Sequence, residues 1–334
     1  MDPQAPVGAA VRLCRSCRRG FAACLVAAAV SPAFADDRYA LIVSGASGGA
    51  EYARKYDAWR TSFEKTLREK FAYPDDHVIV LAEEEQGAVK RATRENVRAA
   101  LNQLRRRATN DDVVLVLLVG HGTADGDDAK FNLVGPDLSA GEWAGLVRPI
   151  AGRLVFVNAT GGSFPFLHQM AGRGRIVLTA TDSAAQQFET LFPEFFVKAF
   201  DDPGADLDKD GMVSIWEAFS YASRGVKNRF EERGQLATER PMLDDTGDGV
   251  GREADTPGAD GAVAQATYLQ PDAPVMVAGD PELTGLLRRR AALEAQVERL
   301  KETKPQLTPG EYDAQLESLL LELARIDRQI RAKS

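Results

Sequence analysis

Cysteine is nearly missing from this chain: of 334 residues only Cys14, Cys17 and Cys24 are cysteine, and all three fall within the first 35. From residue 36 onward no disulfide, thiol nucleophile or thiolate metal site can be built. Histidine is also scarce, with His77, His121 and His168 the whole complement, which excludes a histidine-rich metal centre. Long apolar runs are absent. The apolar stretch FAACLVAAAV spans about ten residues, against the roughly 17 or more that a membrane helix needs. Positive charge is in deficit, with 41 Lys and Arg against 49 Asp and Glu. A chain so acidic is a poor partner for nucleic acid.

The first 35 residues have a character of their own. Arg12, Arg15, Arg18 and Arg19 precede the short apolar stretch, and Ser-Pro-Ala-Phe-Ala follows before Asp36. A basic segment, an apolar core and an A-x-A-like site together predict a secretory signal cleaved after Ala35. The protein is therefore expected in the periplasm or outside the cell, with no transmembrane anchor in its mature form. The pair Cys14 and Cys17 would leave with the signal, and the formal charge would move from −8 to −11.

Between Arg38 and Thr181 strand and helix patterns alternate. YALIVSG, HVIVLAE, DDVVLVLLVG, RLVFVN and RIVLTAT read as five strands, the third apolar throughout, as expected of a strand covered on both faces. Trp59, Phe63, Leu67 and Phe71 recur at four-residue spacing, Thr93 caps a helix carrying Val97, Leu101 and Leu104, and Ser139 with Glu142 forms a capping box. The order predicts an α/β, doubly wound, mostly parallel sheet flanked by helices.

Two strand ends carry unusual residues. VLLVGHG places His121 between glycines, and LVFVNATGGS breaks from an apolar run into Thr160, two glycines and Ser163. Ligands and catalytic groups gather at the carboxyl ends of parallel strands. The pairing of these two motifs resembles the caspase and legumain superfamily of cysteine peptidases, over roughly residues 38 to 230, and within it the bacterial legumain-like proteins. The resemblance implies a caspase-like sheet in which His121 is the dyad histidine, Gly122 offers an oxyanion amide and Thr160 stands where the nucleophilic cysteine would be. A hydroxyl is far less acidic than a thiol and needs a tightly oriented base. Two readings follow. In the favoured one, peptidase activity is lost and the fold persists as a module binding a protein or peptide; in the other, Thr160 or Ser163 is a hydroxyl nucleophile working with His121. Plainer roles exist for His121 as a polar turn residue and for Thr160 as a turn-satisfying hydroxyl. His77 and His168 carry no partner pattern and read as surface or edge residues.

The stretch DLDKDGMVSIWE has the form of an EF-hand-type calcium loop. Asp206, Asp208 and Asp210 hold positions 1, 3 and 5, Gly211 the turn, Met212 a carbonyl ligand, Ser214 position 9 and Glu217 the last ligand. Calcium is the expected ion. A weaker candidate follows, with Asp244, Thr246, Asp248, Gly249 and Asp255 in corresponding places but Arg252 at position 9. The Gly-rich stretch from 247 to 264 reads as an exposed loop, and TYLQPDAPVMVAG after it as an edge strand.

The domain so outlined runs over residues 36–280, and residues 281–334 form a separate tail. Leu283, Leu286, Arg290, Leu293, Val297 and Leu300 recur in steps of three and four; after Pro305, Thr308-Pro-Gly-Glu311 opens a second helix bearing Tyr312, Leu316, Leu319, Leu323, Ile326 and Ile330. This pattern predicts a coiled-coil-like helical hairpin that closes on itself or on the domain, or joins two copies in a homodimer.

Overall fold

The structure is a computed structural model that describes residues 37–256, 258–271, and, towards the C-terminus, 286, 289, 290, 293, 296, 297, 300, 301, 304 and 307–332. The expected signal segment and Leu283 lie outside the described residues. The centre is a seven-stranded sheet of β1 (Arg38–Ser44), β2 (Val78–Ala82), β3 (Lys90–Arg91), β4 (Val113–Val119), β8 (Arg153–Asn158), β9 (Arg175–Thr179) and β10 (Met242–Asp244), in the order β10-β9-β8-β4-β1-β2-β3. All neighbours are parallel except β10, which pairs antiparallel with β9. The chain winds outward from β1 in one direction and then, from β4, in the other. The crevice between β1 and β4 is thus the topological switch point, where ligands of open α/β sheets bind.

Two cores flank this sheet because successive side chains of a strand face opposite ways. Ala40, Ile42, Leu115 and Leu117 pack with α1 (Ala50–Lys65), α5 (Phe192–Ala199) and α6 (Ile215–Glu232) through Tyr56, Phe63, Phe196 and Phe219. Leu41, Val43, Val116 and Phe156 pack with α2 (Arg94–Arg107), α3 (Ala140–Val147) and α4 (Phe164–Met170) through Leu101, Trp143, Phe166 and Met170. The expected mostly parallel, helix-flanked sheet is therefore present. Thr93 and Ser139 cap α2 and α3 as read from the sequence, the latter with the full reciprocal box to Glu142.

Several features depart from the sequence reading. After α1 the backbone widens into one π-helical turn, Thr66–Lys70, where the Phe71 amide reaches the Thr66 carbonyl. Leu67 and Phe71 are both buried in the core. Residues after His121 build a second sheet of β5 (Gly122–Asp125), β6 (Asp128–Phe131) and β7 (Leu138–Ser139), so the acidic Asp125, Asp127 and Asp128 form the tip of a hairpin. The edge strands of the main sheet are β10 and β3. Tyr268 makes only an isolated bridge with Ser214, and most of the stretch after it lies outside the described residues. His77 is buried rather than on the surface: its Nδ1 lies 3.0 Å from the Arg38 carbonyl and its ring 4.3 Å from Tyr39.

A short helix α7 (Ala262–Gln265) precedes Tyr268, and α8 (Pro309–Arg331) ends the chain, capped by the Thr308 and Glu311 box. Leu286, Leu293, Val297 and Leu300 have helical backbone. Arg289 bonds Glu322 at 2.6 Å and Arg290 lies 3.5 Å from Asp327. Among the described residues no helix is long and apolar enough to cross a membrane.

Candidate functional site

β4 and β8 are adjacent and parallel, with Leu118 opposite Asn158. Their register brings His121 and Thr160 to the same carboxyl edge, beside the switch point. The two side chains are nevertheless engaged elsewhere. His121 Nε2 lies 3.0 Å from the Ser47 carbonyl, which can only accept, so Nε2 carries the proton; the Tyr56 hydroxyl stands against the same ring, 3.1 Å from Nε2 and 3.4 Å from Nδ1. Tyr52 and Tyr56 set their rings edge-on to the imidazole, at 4.8 and 5.5 Å. Burial pushes the Tyr56 phenol above its ordinary value, which keeps it a neutral donor.

Thr160 is fully buried. Its hydroxyl donates to Asn158 Oδ1 at 2.8 Å, and its amide donates to the same oxygen at 3.2 Å. That is an Asx-turn, the local bond Asn commonly makes to the backbone two residues on. Gly122 is packed against the Thr160 hydroxyl so closely that a Cβ there would stand 2.5 Å from Oγ1 and from the Gly161 carbonyl. Ser163, equally buried, accepts the amides of Ala180 and Thr181 at 3.1 and 3.3 Å, tying the end of β9 to the start of α4. Among the described residues no hydrogen bond joins His121 to Thr160 or Ser163.

A strap formed by residues 183–190 lies over this strand end. Gly162 donates its amide to the Gln186 carbonyl at 2.5 Å, the Gln187 side chain reaches the Ala124 carbonyl at 2.6 Å, and Thr190 bonds the Ala159 carbonyl at 2.6 Å. Phe188 at its crest is 77% exposed. The strap leads into α5, whose first amides, on Leu191 and Phe192, are held by Glu239 at 2.8 and 2.7 Å. Burial raises the Glu239 carboxyl to about 7. Sequence reading passed over Asn158, Ser47, Tyr56 and Glu239; only Asn158, two residues before Thr160, left a readable signal.

The acidic loop before α6 is the second candidate centre. Ligand oxygens of Asp206, Asp208 and Asp210 lie within 4.8 Å of one another. Gly211 adopts φ +88°, and its amide bonds Asp206 Oδ2 at 3.1 Å, while Asp206 Oδ1 is buried with no hydrogen-bond partner. Burial, and then the neighbouring carboxylates, raise Asp210 to about 6; burial likewise raises Asp208. Glu217 closes on the backbone, taking the Leu207 amide at 2.7 Å and the Ser214 amide and hydroxyl each at 2.9 Å. The Ser-x-x-Glu spacing thus also serves as the capping box of α6. Met212 donates its amide to Asp210, and Tyr268 reaches the same carboxylate at 3.3 Å.

In the weaker loop Asp244 accepts the amides of Gly247 and Gly249 and the Thr246 hydroxyl, and Asp248 accepts the Val250 amide. Asp255 is not brought to them: it is 72% exposed and 3.6 Å from Lys227. Arg252 stacks on Trp216 at 4.5 Å rather than entering the loop.

No family model matches the chain, and no curated protein matches it. Among solved structures it is similar to a Geobacter sulfurreducens protein determined as a structural-genomics target, at 12% identity over 70% of this chain and 99% of that one, with a TM-score of 0.42. The Drosophila initiator caspase Dronc is similar at 11% identity over 70% of this chain and 84% of that one, with a TM-score of 0.43.

Proposed function

We propose that this chain is an exported homologue of the caspase and legumain peptidases in which catalysis is silent, and that it works as a calcium-stabilised binding or regulatory module. The observation that carries the reading is the double engagement of Asn158 Oδ1 by the hydroxyl and amide of Thr160. The resemblance assigns that position the attacking group, and a hydroxyl already committed to a buried acceptor, with its base turned towards Ser47 and Tyr56, lacks the contact that would activate it. The competing reading, a hydrolase using Thr160 or Ser163 with His121, requires the attacking hydroxyl to leave its present partners. Incubating the purified protein with a diverse peptide library, read by mass spectrometry, should yield no cleavage. Cleavage that disappears in His121→Ala and in Thr160→Val or Ser163→Ala would replace the proposal with the hydroxyl mechanism.

Calcium fits the loop at 206–217. The residues that would hold it are Asp206, Asp208, Asp210, the Met212 carbonyl, Ser214 and Glu217, an all-oxygen set suited to a hard cation. The unpartnered Asp206 Oδ1 and the raised Asp210 carboxyl are what a loop shaped for positive charge shows without it. Bound calcium would supply the charge that relieves this repulsion and would fix the approach to α6. The tail is read as a helical hairpin, and the segment of residues 1–35 as the export signal; a mature N-terminus at Asp36 on sequencing the secreted protein would test the latter.

A further inference from the structure

The seam of α8 is satisfied: Tyr312 and Ile326 are buried, and Leu316, Leu319, Leu323 and Ile330 are half-buried. A different flank of the helix is open. At 3.6 residues per turn, Asp313, Glu317, Leu320, Leu321, Ala324, Arg328 and Arg331 fall within about 100° of arc. All seven are exposed, Leu320 by 50% and Leu321 by 53%. Read from the N-terminus, this flank is acidic at one end, apolar in the middle and basic at the other. Among the described residues Asp313, Glu317, Arg328 and Arg331 make no ion pair.

We propose that this flank is a self-complementary surface on which a second copy of the chain docks with its own α8 antiparallel. A twofold axis crossing the helix near residue 322 sets Asp313 opposite Arg331 of the second copy and Glu317 opposite its Arg328, and each contact occurs twice because the interface is isologous. The same operation lays Leu320 and Leu321 over Ala324 of the other copy, where the small side chain lets the helices approach. Parallel pairing would set like charge on like charge. A partner of uniform sign would satisfy one end of the flank and repel the other. The chain's own flank, reversed, satisfies both ends. One helix face with three apolar residues at its centre buries little, so the dimer is of the weak, salt-sensitive kind.

Sedimentation velocity on the full chain under reducing conditions, from low micromolar to near-millimolar protein, tests this. The parent should dimerise at low salt and dissociate as salt rises. The double variants Asp313→Arg with Glu317→Arg, and Arg328→Glu with Arg331→Glu, should each weaken the dimer by roughly tenfold or more. An equimolar mixture of the two should form a heterodimer, and the quadruple variant, with both ends reversed, should dimerise like the parent. Leu320→Ser with Leu321→Ser, which leaves every charge in place, should also weaken it, so the test survives if one charge variant fails to fold. A parent that stays monomeric throughout, double variants that dimerise as the parent does, or a mixture that stays monomeric overturns the proposal.

Discussion

Thr160 and Asn158 form a closed pair: one carboxamide oxygen receives both the hydroxyl and the amide of the residue two positions on. The pair is buried, so each bond stands in for water that cannot reach it. Thr160→Val removes one donor and keeps the amide bond, and should cost about 1 kcal/mol in denaturant unfolding. Asn158→Ala strands both donors and should cost about 2 to 3 kcal/mol. Equal costs in the two variants would show that the amide bond contributes nothing.

Glu239 gives the protein a pH dependence near neutrality. Its folded-state value, about 7, lies above the ordinary carboxyl value of 4.5, so the folded protein holds a proton that the unfolded chain releases. Stability is therefore fully present below about 4.5 and falls as pH rises towards 7, by on the order of 3 kcal/mol. Glu239→Gln keeps an acceptor for one helix amide and removes the titration. The difference in unfolding free energy between parent and variant should change across pH 4.5 to 7; a constant difference rejects the assignment.

Calcium should raise the melting temperature, and a chelator should lower it. An ion bound only by the folded state adds about 2.7 kcal/mol at one hundred times its dissociation constant. Asp206→Ala and Glu217→Gln should each erase most of the response. Asp248→Ala should leave most of it, since Asp255 stands with Lys227 and the second loop is filled by its own amides. A melt indifferent to calcium would reduce the first loop to an acidic turn.

Gly161 sets how closely the strap lies. A Cβ at this position would stand 2.5 Å from the Phe188 carbonyl oxygen and 2.8 Å from the Gln187 carbonyl carbon, both backbone atoms that cannot rotate away. Gly161→Ala should cost about 1 to 3 kcal/mol and loosen residues 186–188. Faster hydrogen exchange of the Gly162 amide is the readout; unchanged protection there would mean that the strap does not rest on Gly161.

What the sequence made legible was the buried frame. Strands apolar throughout, such as VVLVLLV in β4, and helices with capping residues at both pattern and position, such as α3, were readable because burial and capping are local in sequence. The side sheet was not, because Thr123, Asp125, Asp128 and Lys130 alternate with small residues and present no apolar run. Strand β10 spans only three residues. His121 and Thr160 were marked by their places at strand ends, yet their bonds were hidden. The partners of His121 come from the loop after β1 and from α1, more than sixty residues away, whereas the partner of Thr160 was two residues away and readable as an Asx-turn. Glu239 lies 47 residues from Phe192, whose amide it caps, so no local capping pattern announces it.

The capping box of Ser214 and Glu217 lets the start of α6 form without help from an ion. With the Glu217 oxygens closed on the amides of Leu207 and Ser214, helix α6 has a finished first turn whether or not a cation is present. Folding then need not wait for an ion, and the calcium proposed for this loop would enter by a later exchange in which one carboxylate trades backbone amides for metal. On the proposed reading, such a chain would assemble where calcium is scarce and be tightened only where calcium is plentiful.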